Sequence, residues 1–135
     1  MSEIKVDTLT GKTTANDITV TVGASATQSL EQGLAKAWNC FDEGTGSTLR
    51  DSFNVASITD NGMSNFDTNF TNNMSNDDYA FTSSNANPNG NNAQIIAGTA
   101  VCSKTTAEYG VRSQNYTGSF SDIDGVMTVV HGGLA

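Results

Sequence analysis

Apolar and polar residues alternate at period two over most of the chain, the spacing of strands with one face covered. In the segment 2–9, Ile4 and Val6 fall on one face, followed by Leu9, and in 18–23 Ile18, Val20 and Val22 do the same. Gly11 and the Asn16-Asp17 pair between them are turn signals. Two such strands can pair as a ribbon, but an isolated ribbon is barely stable in water. Residues 1–26 therefore read as an arm that needs a partner surface, with Ile4, Val6, Leu9, Ile18, Val20 and Val22 as its docking side chains.

Residues 27–36 hold the one good helix pattern, with Ser25 or Thr27 as N-cap and Leu30 and Leu34 spaced i, i+4. Gly33 inside it costs about 1 kcal/mol relative to alanine, which limits the helix to two or three turns. The pattern then returns to β for residues 37–135. Ala37 to Phe41 alternates, and Arg50 to Thr59 reads as one strand carrying Phe53 and Val55. Asp60-Asn61-Gly62 is a hairpin signal, and Phe66, Thr68 and Phe70 mark the return strand. Further strands are expected at 79–82, 94–102, 108–116 and 125–131, with a polar loop over 83–92. Short strands with turns every 8–12 residues predict a mainly β chain, ending in a jelly-roll-like β-sandwich.

Composition sharpens this picture. The 135 residues include 14 Ser, 18 Thr and 15 Asn, about a third of the chain, so apolar area for a private core is limited. Leu30, Leu34, Ala35 and Ala37 form a small stripe that can pack about a threefold axis or against the chain's own sandwich. The net charge of −8 excludes nucleic acid as a partner, because Lys5, Lys12, Lys36, Arg50, Lys104 and Arg112 are scattered. Apolar runs fall far below the roughly 18–20 residues of a membrane span, so no membrane insertion is expected. The first residues lack the apolar centre of a secretory signal. Cys40 and Cys102, with no C-x-x-C spacing and a single histidine, read as small buried apolar groups rather than as zinc ligands or a disulfide.

Candidate chemistry is sparse, and neither a catalytic residue nor a metal or cofactor is expected. His131 sits in an apolar strand end with no nucleophile signature around it. Asp122-Ile123-Asp124-Gly125 resembles half a calcium loop, but position 12 from Asp122 is Gly133 rather than Glu. Asp42-Glu43 and Asp77-Asp78 read as solvated loop acids rather than as a glycosidase pair. Trp38, Phe41, Phe53, Phe66 and Phe70 are assigned to the core. Tyr79, Tyr109 and Tyr116 lie near turns, where a ring serves core, subunit contact or stacking on a sugar. The loop amides, Asn87 and Asn89 among them, suit polysaccharide hydroxyls.

Several segments carry a family resemblance. The opening Met1-Ser2-Glu3-Ile4-Lys5-Val6-Asp7-Thr8-Leu9, the run Gly33-Leu34-Ala35-Lys36-Ala37-Trp38-Asn39-Cys40-Phe41 and the hairpin Arg50 to Gly62 resemble tail-fibre and virion-appendage proteins of marine tailed phages, the podovirus-like phages of cyanobacteria. Asp67-Thr68-Asn69-Phe70-Thr71, Met74, Tyr79-Ala80 and the ending Val129 to Ala135 are similar to later parts of the same family. The resemblance implies a non-enzymatic virion structural protein, made in the bacterial host cytoplasm and assembled as a homotrimer. Its arm would dock on other virion proteins of the tail or capsid, and Leu30 and Leu34 would meet between copies. Its head would face the host, with a surface glycan as the receptor class met by Tyr79, Tyr109, Tyr116, Asn87 and Asn89. Fibres of that family are commonly several times longer, so a short tail fibre or knob fits this length. A capsid decoration protein or head fibre is the alternative, and a carbohydrate-binding module is a third reading.

Overall fold

A computed structural model describes residues 4–11, 18–22, 25–44, 46–85, 94–97, 104–115 and 117–135. The chain divides into two compact units, Met1–Leu34 and Ala35–Ala135. In the first, β1 (Thr19–Val22) pairs antiparallel with β2 (Ala26–Ser29), Thr19 opposite Ser29 and Val22 opposite Ala26. A single turn of helix, α1 (Leu30–Gly33), follows directly.

This unit differs from the sequence expectation in two ways. Residues 4–10 form no strand, and the partner of β1 is the segment that was expected to open a helix. The period-two pattern marks a capacity for pairing without naming a partner, and the nearest strand closes the smallest loop at the lowest entropic cost. The helix is accordingly shorter and starts later. Ser29, not Ser25 or Thr27, is its N-cap, accepting from the Gln32 amide at 3.4 Å, while Leu34 is already extended at φ −95, ψ 142. The Leu30 amide donates to the Ile18 carbonyl at 2.7 Å, which ties the turn to β1. The unit boundary falls after Leu34, so the expected arm and the expected connector up to Leu34 share the first unit, while Ala35 and Lys36 belong to the second.

The second unit is a sandwich of two four-stranded antiparallel sheets. Its strands are β3 (Ala37–Asp42), β4 (Thr48–Phe53), β5 (Val55–Asp60), β6 (Asn65–Phe70), β7 (Ala80–Asn85), β8 (Gln94–Ala97), β9 (Glu108–Gln114) and β10 (Val126–His131). One sheet runs β4-β3-β10-β7 and the other β5-β6-β9-β8. Between them lies one apolar cluster that includes Phe41, Phe66, Phe70, Met74, Tyr79, Tyr109, Val111, Val126 and Val130. Phe41 and Phe66 meet across the sheets with ring centroids 5.8 Å apart, and Phe81 lies 4.6 Å from Tyr109.

The segment read as one strand from Arg50 to Thr59 is two strands in different sheets. Asn54 breaks it, with φ 56 in the left-handed region that asparagine tolerates better than most residues. Its side chain holds the corner. Nδ2 donates to the carbonyls of Lys36 (3.0 Å) and Asn72 (3.1 Å), and Oδ1 accepts from the Asn72 amide at 2.8 Å. The Asn61-Gly62 hairpin is where the sequence placed it. There Gly62 takes φ 105, the Asp60 carboxylate accepts from its amide at 2.8 Å, and Ser64 takes φ 60.

A ring of polar groups crosses the middle of the core. Asn39 Nδ2 donates to Thr68 Oγ1 at 3.0 Å and to the Tyr109 hydroxyl at 3.4 Å. The Tyr109 hydroxyl donates to Thr128 Oγ1, which in turn donates to Asn39 Oδ1 at 2.8 Å. All four residues are buried. They link β3 and β10 of one sheet to β6 and β9 of the other, so the ring fixes how the sheets sit on each other.

Candidate assembly surfaces

Each residue expected to dock the arm lies in the first unit, and most are uncovered there. Ile4, Val6 and Leu9 are 88%, 60% and 59% exposed, on backbone that forms no ladder. Ile18 is half-buried, and Val20 is exposed. The side chain of Val22 lies outside the described residues. Val20, Gln28, Ser29, Leu30, Gly33 and Leu34 line a hollow of about 230 Å³. The structure therefore brings Val20 together with the expected subunit contacts Leu30 and Leu34, of which Leu34 is exposed. Ile4, Val6 and Leu9 do not line that hollow.

The expected receptor contacts fare differently. Tyr79 and Tyr109 are both buried, which corrects the reading of either as a ring offered to a ligand. On β9, Tyr109 shares the inward phase with Val111 and Ser113, and its hydroxyl belongs to the polar ring. The Tyr79 hydroxyl reaches the carbonyls of Thr105 (2.9 Å) and Glu108 (2.8 Å), and Lys104 Nζ stands 4.8 Å from its ring centroid. Burial holds both phenols well above the usual tyrosine range. Tyr116, Asn87 and Asn89 lie outside the described residues, as does Cys102. Cys40 is a partly exposed free thiol.

Two aromatic residues expected in the core are on the surface instead. Trp38 is 38% exposed and Phe53 51%. They face each other across the β3–β4 ladder, and Trp38 lies opposite Val129 on β10. In the next row, Cys40 lies between Asp51 on β4 and Met127 on β10. The signal for this was in the spacing. Trp38 and Phe41 are three positions apart, and on a regular strand an odd separation puts two side chains on opposite faces. Phe41 took the inside.

Of the acidic pairs, Asp77-Asp78 is exposed as expected, but Asp42-Glu43 is buried at one end of the sandwich. Asp42 accepts from the Gly125 amide at 2.9 Å and from Arg50 Nε at 2.6 Å. Glu43 Oε2 accepts from the Ile123 amide at 2.7 Å and lies 2.5 Å from Ser113 Oγ. Burial, reinforced by Asp122 and Asp124, lifts the Glu43 carboxyl to about 7 against the hydrogen bonds from Ser113 and Ile123. Among the described residues, no group of three or more His, Cys, Asp or Glu side chains is disposed to hold a metal ion. His131 is exposed at the end of β10, opposite Ala80 on β7.

Among the described residues, large apolar side chains are exposed in both units. In comparisons with family models, curated proteins and solved structures, none matches this chain.

Proposed function

We propose that the protein is a non-enzymatic structural component of a phage virion, a short tail fibre or knob that assembles as a homotrimer. The first unit docks on other virion proteins, and the second displays a jelly-roll-like β-sandwich from which any attachment to a host glycan is made. One observation carries this reading: the exposure of Ile4, Val6 and Leu9 at the start of the chain. Three large apolar side chains exposed to water in one segment are what a surface completed by another protein presents. Capsid decoration is the second reading, because the same exposed arm serves docking on a head as well as on a tail.

The test removes residues 1–26 in the virus. The truncated protein is expected to stay folded, by circular dichroism, while particles assemble without it. Incorporation at the normal level would place the dock elsewhere and overturn the reading. Electron microscopy of labelled particles then separates tail from capsid.

A further inference from the structure

The tip of the β5–β6 hairpin places an amide and a nucleophile next to each other. Asn61 and Gly62 are both exposed, and a Cβ added to Gly62 would meet nothing within 4 Å. In an Asn-Gly pair the glycine nitrogen can attack the asparagine Cγ, because no side chain on the glycine crowds the five-membered ring that forms. In this hairpin a carboxylate engages each reacting group. The Gly62 amide donates to Asp60 Oδ1 at 2.8 Å, and Asn61 Nδ2 donates to Asp67 Oδ2 at 2.6 Å. Two backbone bonds close the turn around them, from the Asn61 amide to the Asn65 carbonyl at 2.8 Å and from the Asn65 amide to the Gly62 carbonyl at 3.0 Å.

We propose that Asn61 is a self-modification site, losing its amide through a cyclic imide formed with Gly62 at a rate held down by Asp60 and Asp67. Water is the only co-reactant. The Gly62 nitrogen gives its proton to solvent and bonds to Asn61 Cγ, the Cγ–Nδ2 bond breaks, and Nδ2 takes up a proton and leaves as ammonia. Water then opens the imide. Breaking the new nitrogen–Cγ bond leaves an aspartate at position 61, and breaking the original peptide bond leaves an isoaspartate. Both carboxylates oppose the first step. Asp60 holds the proton that Gly62 must lose and sets a negative charge beside a nitrogen that becomes anionic. Asp67 sets a second negative charge beside Cγ, where the attack builds an oxyanion that a nearby positive group or donor would have stabilised. The product changes the tip, because a carboxylate replaces the amide that donated to Asp67 and an attraction becomes a like-charge contact.

The test incubates the full chain in mildly alkaline buffer and follows Asn61 by peptide mapping with mass spectrometry, since Asn89-Gly90 carries the same dipeptide. Asn61 is expected to convert to aspartate and isoaspartate about tenfold more slowly in the folded chain than in the chain unfolded in urea. Asp60→Ala and Asp67→Ala are each expected to speed conversion in the folded chain about tenfold, with rates in urea close to the wild type. Asp67→Asn, which keeps an acceptor for Nδ2 and removes only the charge, is expected to fall between Asp67→Ala and the wild type. Hydrogen exchange at the Asn65 amide reports opening of the hairpin and is expected to be unchanged in these variants. Acceleration that tracks faster exchange would assign the effect to opening and overturn the role given to the carboxylates. Slower conversion in Asp60→Ala would make Asp60 a base for the attack and overturn that role too. An Asn61 that stays intact in every form, folded or unfolded, would overturn the site itself.

Discussion

Glu43 sits where a proton decides the hydrogen bonding. Ser113 Oγ has one hydrogen and two acceptors within reach, Glu43 Oε2 at 2.5 Å and the Ser121 carbonyl at 2.8 Å. Both contacts become hydrogen bonds when the carboxyl is protonated and donates to Ser113, freeing Ser113 to donate to Ser121. Burial raises the Glu43 pKa from 4.5 to about 7, so the folded chain holds this proton more tightly than the unfolded one. The resulting stability is complete below about 4.5 and is lost as pH rises through about 7, at no more than about 1.4 kcal/mol per pH unit. Glu43→Gln keeps a donor and an acceptor without a titrating charge. Urea midpoints measured at pH 5 and pH 8 are expected to fall with pH in the wild type and to differ much less in the variant. A variant as pH-sensitive as the wild type would move the titrating group elsewhere.

At the level of elements, one residue decides how the strands are shared between sheets. Asn54 turns the chain from β4 into β5, out of one sheet and into the other, with its side chain bonded to Lys36 and Asn72. Asn54→Ala keeps a Cβ in left-handed backbone without the short polar side chain that lets asparagine tolerate it, at about 1–2 kcal/mol, and deletes the amide's bonds, at about 1–3 kcal/mol. Asn54→Gly deletes the same bonds but keeps the angle free of strain. Chemical unfolding is expected to show alanine about 1 kcal/mol or more less stable than glycine here. Equal losses would remove the backbone angle from the explanation. This corner was illegible in the sequence, because Phe53 and Val55 continue the period-two pattern across it. The Asn61-Gly62 turn was legible, because glycine supplies the positive φ locally. Trp38 was half-legible: its phase opposite to Phe41 could be counted, but which of the two faced inward could not.

On the scale of the whole molecule, the acidic balance and the exposed apolar side chains act in opposite directions. The charge of −8 opposes association at long range and is weakened by screening, while apolar contact is not. Raising ionic strength from about 0.01 to about 0.1 M shortens the screening length from about 30 to about 10 Å. Self-association of the full chain, followed by sedimentation, is therefore expected to tighten over that range. Association that weakens with salt would show that opposite charges hold the copies together.

By itself, the sequence determined the local facts: a mainly β chain, most strand positions in the second unit, the Asn-Gly hairpin, and an acidic surface poor in basic clusters. These follow from alternation, turn chemistry and charge, all of which act between near neighbours in the chain. Only the tertiary structure decided which β1 partner was used, that Asn54 divides one apparent strand between two sheets, that Tyr79 and Tyr109 lie inside, and that Trp38 and Phe53 lie outside. Each of these depends on which face of a strand is covered by residues far away in sequence. Period two defines two faces, and only packing says which of them meets water.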